Sequence, residues 1–298
     1  MSLTFAYIKL REYLLALKRD KESYRAEDGS QAEMDRTGRV VQTAENIPTE
    51  IDPVARVKFL FNDNAVAYSY WRSQELTLFW RALPNFQRPV LDFGCGDGSF
   101  SKCLLENIDH GVDIDPSALE IAAAYGIYRD LITFDQMVSD LPSASVGTVY
   151  SCSVLEHTID IEACLSQIAR VMRPGGKLYF SVPSPHFTQH MADLAGREFA
   201  SNMNRRMFHR NMFDRKRWEA LLEGVGLRVS EVLEFQPKSF TRKYFRISLL
   251  GNRTVGRIPG FRSWFWRRYK NQLVEDVACS ISGEIDEGAN YFIVAEKP

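Results

Sequence analysis

From residue 89 onward, short β-rich runs alternate with helical runs, and this alternation constrains the fold more than any other feature of the 298-residue chain. Residues 89–93, Pro-Val-Leu-Asp-Phe, read as a buried strand that ends in a glycine cluster, and a helix follows through Phe100, Leu104 and Leu105. Residues 111–114 close a second strand, and Asp115-Pro116 then opens a helix as cap and first helical residue. Residues 131–134 and 146–151 read as third and fourth strands. A helical face of Ile161, Leu165, Ile168 and Val171 ends at Arg173-Pro174-Gly175-Gly176, and 177–182 is the fifth strand. Asp214 caps a helix through Trp218, Leu221 and Leu222 that stops at Gly224 and Gly226. Residues 227–235 and 291–295 are the sixth and seventh strands. Repeated units of this kind predict an α/β fold built on a doubly wound, seven-stranded sheet.

The preceding residues are organised differently. Leu3, Tyr7, Leu10, Leu14 and Leu17 recur at spacings of four and three, the face of a helix. Residues 18–52 are polar and aperiodic and read as a linker. A second helical pattern, Val66, Tyr70, Leu76, Phe79 and Leu83, stops at Pro84. The chain is thus expected to divide into an N-terminal helix and linker, 1–52, and one domain, 53–298, with cap segments inserted at 184–213 and 236–288. With 45% hydrophobic residues it can bury a sizeable core. No apolar run approaches the ~20 residues of a membrane span. Lys9, Arg11 and Glu12 interrupt what would be the apolar stretch of a signal peptide. Five cysteines without a CxxC pair point to a reducing compartment. A cytoplasmic protein is expected.

Asp92-Phe-Gly94-Cys95-Gly96-Asp97-Gly98 follows the first strand. Glycines there permit a tight turn and let a ligand approach the backbone, beside the free N–H groups of a helix N-terminus. Two details argue against a dinucleotide. Asp92 puts a carboxylate where a pyrophosphate would sit, and the spacing is GxGxG rather than GxGxxG. A ligand with a positive group fits better. S-adenosylmethionine (SAM) carries a sulfonium and an ammonium and has no phosphate. Asp113, at the end of the second strand, can accept hydrogen bonds from two ribose hydroxyls. Asp135, after the third strand, is either an acceptor for the adenine amine or a solvated turn residue.

Together, VLDFGCGDG, GVDIDP, VYSCSVLEH and VMRPGGKLYFSVPSP resemble the class I SAM-dependent methyltransferases. The likeness is greatest to the type 11 small-molecule branch, which includes quinone-biosynthesis enzymes. The resemblance runs through 89–183 and returns at 209–227 and in the last strand. It implies that the seventh strand is antiparallel and that SAM lies across the ends of strands one, two and four. It further implies that Asp92, Gly94, Cys95 and Gly96 surround the methionine part, that Asp113 holds the ribose and that Ile114 faces the adenine. Ser151 and Cys152 would lie beside the reacting methyl. The product would be S-adenosylhomocysteine.

Methyl transfer needs orientation and, for a hydroxyl acceptor, a base. His157 and His186 are the candidates, each as a base or to orient an acceptor; for His157 the plainer alternative is a backbone hydrogen bond that shapes the loop. HFTQH (186–190) lacks a third ligand, so no metal site is expected. Arg72 either pairs with the SAM carboxylate or is a surface cation. Met191, Met203, Met207 and Met212 fall within 184–213, which is either an adaptable acceptor lid or a helical cap with a plastic core. The net charge of −1 conceals an asymmetry: 235–274 holds ten cations, nine aromatics and no acid, leaving −11 for the rest. Such a stretch suits peripheral membrane contact, nucleic acid or a packed aromatic subdomain. The absence of an Asn/Asp-Pro-Pro-Tyr motif weighs against nucleic acid. The sequence therefore points to methyl transfer to a small-molecule or lipid- or glycan-linked acceptor, at oxygen. The alternatives are a nucleic-acid methyltransferase and a SAM-binding partner without turnover.

Overall fold

Asp52 accepts a hydrogen bond from Ala55 N and caps helix α1 (Pro53–Asp63), whose Pro53 occupies the first turn where a missing N–H costs nothing. This computed structural model describes residues 52–64, 66–249 and 285–298. The expected N-terminal helix, the linker up to residue 51 and the aromatic run 256–270 lie outside the described residues. Helix α2 (Val66–Ala82) gives way at Pro84 to a 3-10 turn, Leu83–Asn85.

The alternation then unfolds as expected: β1 (Val90–Phe93), α3 (Ser99–Leu104), β2 (Ile108–Asp113), α4 (Pro116–Ala123), β3 (Tyr128–Thr133), α5 (Phe134–Asp140) and β4 (Val146–Cys152). After these come α6 (Ile161–Val171), β5 (Met172–Pro183), α7 (Pro185–Ala195), α8 (Arg197–Met207), α9 (Arg215–Gly224), β6 (Arg228–Phe235), α10 (Lys238–Leu249) and β7 (Asn290–Glu296). The strand order is β3-β2-β1-β4-β5-β7-β6. Strand β7 runs antiparallel to both β5 and β6, and every other pairing is parallel.

Successive strand residues point to opposite faces, which divides the core in two. Leu91, Val149, Leu178, Phe180 and Ile293 face one layer with Trp218 and Leu165. Val90, Tyr150, Tyr179 and Phe292 face the other, with Leu76 and Phe79 of α2. Each such side chain contributes about 1.5–3 kcal/mol on burial. The direction of winding reverses between β1 and β4, and open α/β sheets bind ligands beyond the carboxyl ends of strands at such a point.

Several boundaries differ from expectation. Strand β5 starts at Met172, so Arg173–Gly176 belongs to the strand rather than to a preceding turn. Phe134 is the first residue of α5 rather than the last of β3, because Thr133 and Gln136 form a reciprocal capping box. Asp135 is therefore an exposed residue in the first turn of a helix.

The segment 184–213 forms two helices over the carboxyl edge. Ser184 caps α7, and Phe187, Met191 and Ala200 pack with Phe245 of α10. Met203, Met207 and Met212 pack against the same cluster, as a helical cap with a plastic core would have them. Helix α10 turns its aromatics inward. Phe240 stacks on Tyr70 at 4.4 Å, Tyr244 lies 4.7 Å from Trp71, and Lys243 stands over the Tyr70 ring. This part of the basic stretch is packed aromatic structure.

Candidate active site

The loop after β1 is held from below and open above. Gly94 N and Cys95 N both donate to the Val112 carbonyl of β2, at 2.7 and 2.9 Å. Gly94 and Gly96 have φ of +79° and +53°, a region L side chains avoid. A Cβ on Gly94 would come within 2.4 Å of Val154, whereas one on Gly96 would meet no protein atom within 4 Å. Gly94 is thus fixed by packing, and Gly96 borders free space. The Asp113 carboxylate accepts from Gly96 N at 2.8 Å and from Asp115 N at 2.9 Å, joining the loops after β1 and β2. The next side chain, Ile114, is 83% exposed, an apolar surface at the edge of that space. Asp115 is the expected helix cap.

Asp92 lies beneath the loop rather than on its surface. It is 3% exposed and accepts from Ser101 Oγ and, at 2.7 Å, from Tyr128 OH. Burial pushes its pKa up to about 6 against the pull of those donors. Cys95 is buried, and burial raises its thiol well above the usual range, so it stays neutral.

At the end of β4 the chain meets a buried carboxylate that no local pattern announces. Glu75, its side chain 0% exposed, accepts from Arg72 Nη1 at 2.9 Å, Ser153 Oγ at 2.6 Å and Ser181 Oγ at 3.0 Å. Arg72 Nη1 also lies 3.2 Å from both the carbonyl oxygen and the Sγ of Cys152. Arg72 is therefore neither a loose surface cation nor an unengaged one; it is paired at the carboxyl edge of β4. Ser151 is buried with no partner for its Oγ among the described residues, and burial raises the Cys152 thiol.

Beyond β4, a 3-10 turn (Leu155–His157) brings together groups that sequence reasoning missed in part. Glu156, His157 and His209 have donor atoms within 4.8 Å of one another, the set among the described residues whose donor types suit a cation. Glu156 is buried, its Oε2 has no partner among the described residues, and burial raises its pKa to about 8. It is a neutral acid at pH 7. His157 is 41% exposed in its side chain, with Nε2 at 3.6 Å from Glu156 Oε1 and Nδ1 at 3.4 Å from the Phe208 carbonyl. Burial and the charge of Arg72 lower its pKa, and a donating Nδ1 leaves Nε2 as the acceptor. His209, 5.2 Å away ring to ring, is lowered to about 3 by burial, then by His157. Asn211 locks this arrangement: its side chain donates to Leu155 O and Thr158 O, and its N–H to Glu156 O. His186 stands apart, at the start of α7 and 6.4 Å from His190. The structure brings His157 together with His209, not with His186.

The glycine loop, the shared Asp113 carboxylate and the open space beside Gly96 and Ile114 suit a nucleoside with a positively charged tail. Their place at the reversal of an order 3-2-1-4-5-7-6 sheet defines a class I SAM-dependent methyltransferase. A family model described as a methyltransferase domain matches residues 57–232, more than half of the chain. The protein belongs to that family. Over 159 residues it is 28% identical to the ubiquinone biosynthesis O-methyltransferase of Coxiella burnetii, covering 51% of this chain and 64% of that protein. Over 106 residues it is 30% identical to the malonyl-[acyl-carrier protein] O-methyltransferase of Serratia marcescens, covering 35% and 42%. The matches thus span less than two thirds of these relatives. In fold it is similar to a SAM-dependent methyltransferase of Thermotoga maritima, with a TM-score of 0.52 at 17% identity over 83% of this chain and 100% of that one. The corresponding values for geranyl diphosphate methyltransferase in complex with SAM are 0.50, 14%, 80% and 89%.

Proposed function

We propose that the protein transfers a methyl group from SAM to a hydroxyl of a small-molecule or lipid-linked acceptor. The observation that carries this reading is the Asp113 carboxylate: it ties Gly96 to the next loop while Ile114 beside it stands 83% exposed. The hydroxyls of a ribose seated there would donate to Asp113, with the adenine on Ile114 and the methionine tail over Gly96. The N–H groups of Arg72 not committed to Glu75 face the methionine carboxylate in this reading. SAM, when bound, supplies a methyl group on positive sulfur and leaves as S-adenosylhomocysteine. His157, neutral at pH 7, takes the hydroxyl proton at Nε2 as the acceptor oxygen forms its new bond to carbon. Ser151 and Cys152 line the place of transfer, and the cap of α7, α8 and α10 excludes water from it.

Asp113→Ala tests the reading. Calorimetric SAM affinity is expected to fall by about 10- to 100-fold, the loss of hydrogen bonds to a charged acceptor. Unchanged affinity would sink the assignment. Incubation of the wild-type protein with SAM and cell extract should yield S-adenosylhomocysteine and a methylated hydroxyl compound, identified by mass spectrometry.

A further inference from the structure

Helices α7 and α8 border a solvent-open depression of about 490 Å³, roomy enough for a small organic group. Its lining is unusual for its charge. Arg197 and Arg205 both border it, together with Thr188, Ser201, Asn204 and His209. Among the described residues no carboxylate lies within ion-pair distance of either arginine. Arg205 donates to the Asn202 side chain, an uncharged partner, and the Arg197 side chain has no hydrogen bond among the described residues. Helix α8 itself has a single acid, Glu198, against Arg197, Arg205 and Arg206. Two guanidinium charges at one concavity, without compensation, create a field that draws anions.

Two further side chains of the lining have unmet hydrogen-bonding capacity. Asn204 Oδ1 and His209 Nδ1 are buried and have no partner among the described residues. Asn204 Nδ2 sits 2.7 Å from Thr188 Oγ1. Turning that amide by half a turn lets its oxygen accept from the Thr188 hydroxyl and releases its amino group as a donor. His209 likewise offers an N–H. The site thus combines two forked cations with neutral donors, the usual composition of a carboxylate or phosphate site. His209 also connects the depression to the chemistry, since its ring lies 5.2 Å from that of His157.

We propose that this depression binds the anionic group, a carboxylate or a phosphate, of the methyl acceptor. The acceptor is held at Arg197 and Arg205 with its hydroxyl toward His157. The assignment of the anion to the acceptor rests on the function proposed above; the anion site itself does not. Its source is either a soluble acid or the headgroup of an acidic lipid, and the two are separated by experiment.

The full-length protein, saturated with S-adenosylhomocysteine, is titrated calorimetrically with inorganic pyrophosphate and, separately, with malonate. Binding is expected at about 1 mM or tighter. In Arg197→Gln/Arg205→Gln it should weaken by about tenfold or more, with S-adenosylhomocysteine affinity and melting temperature unchanged. A flotation assay with phosphatidylglycerol vesicles forms the second arm. Vesicle binding that pyrophosphate displaces and the double variant lacks assigns the anion to a lipid; anion binding without flotation assigns it to a soluble acceptor. Pyrophosphate and malonate that both fail to bind the wild type, or that bind the double variant equally well, would overturn the site. Failure of S-adenosylhomocysteine to bind would instead fault the glycine loop, and the anion titration on the free protein would still judge the anion site.

Discussion

Glu156 is a carboxyl group that the folded protein holds without its charge. Burial places its pKa at about 8, against an ordinary value of 4.5. Between these values the folded chain keeps a proton that the unfolded chain releases. Its contribution to stability is therefore complete at low pH and is lost as pH rises through about 8. Glu156→Gln keeps the shape and removes the titration. Relative to this variant, the wild type should lose on the order of a few kcal/mol between pH 5 and pH 9, read from urea melts. Parallel stability curves for the two proteins would refute the buried acid. His209 has the opposite sign: its pKa of about 3 makes stability fall as pH drops below 6.5. The loop glycines separate packing from binding in the same way. Gly94→Ala should destabilise the fold by about 1–3 kcal/mol through its contact with Val154 and its left-handed backbone. Adding Val154→Ala should recover about 1 kcal/mol, a coupling visible in a double-mutant cycle. Strict additivity would show that strain alone matters there.

What an element does was readable when its signals were local. Asp115-Pro116 and Asp214 cap helices as expected, and the turn at Pro84 ends α2 where it should. Where two local signals compete, the capping pattern prevails over strand propensity. Phe134 looks like a strand residue, yet the Thr-x-x-Gln pattern of 133–136 recruits it to α5 and takes Asp135 off the strand end. Contacts between distant elements left no local mark. Glu75 reaches Ser153 and Ser181 across 78 and 106 positions of sequence, and on α2 it reads as one more polar residue. His209 and Asn211 likewise gain their meaning only when the cap closes on the loop after β4. Glu75 clamps α2 to the ends of two strands, so its loss strands Arg72 with no counter-charge. Glu75→Ala is expected to cost about 3–5 kcal/mol, the range for breaking one half of a buried pair, with a matching drop in the thermal midpoint. A change under 1 kcal/mol would mean that solvent reaches Arg72 freely.

At the level of the whole molecule, hydrophobic periodicity carried the sheet. Alternating strand residues feed two separate cores, and that alternation is written directly in the chain. The histidines were harder: His157 and His186 are both near the carboxyl edge, but only packing reveals that His157 meets His209. The antiparallel β7 has a consequence of its own. Because β6 runs parallel to β5 and β7 runs back between them, the chain leaves β6 and re-enters β7 at one edge, with Phe235 paired to Asn290. The two strands are a hairpin whose connecting segment departs from, and returns to, the rim of the candidate active site. Each doubling of such a connection costs only about 0.6 kcal/mol in closure entropy. Length and composition can therefore change between the two strands while the sheet stays as it is.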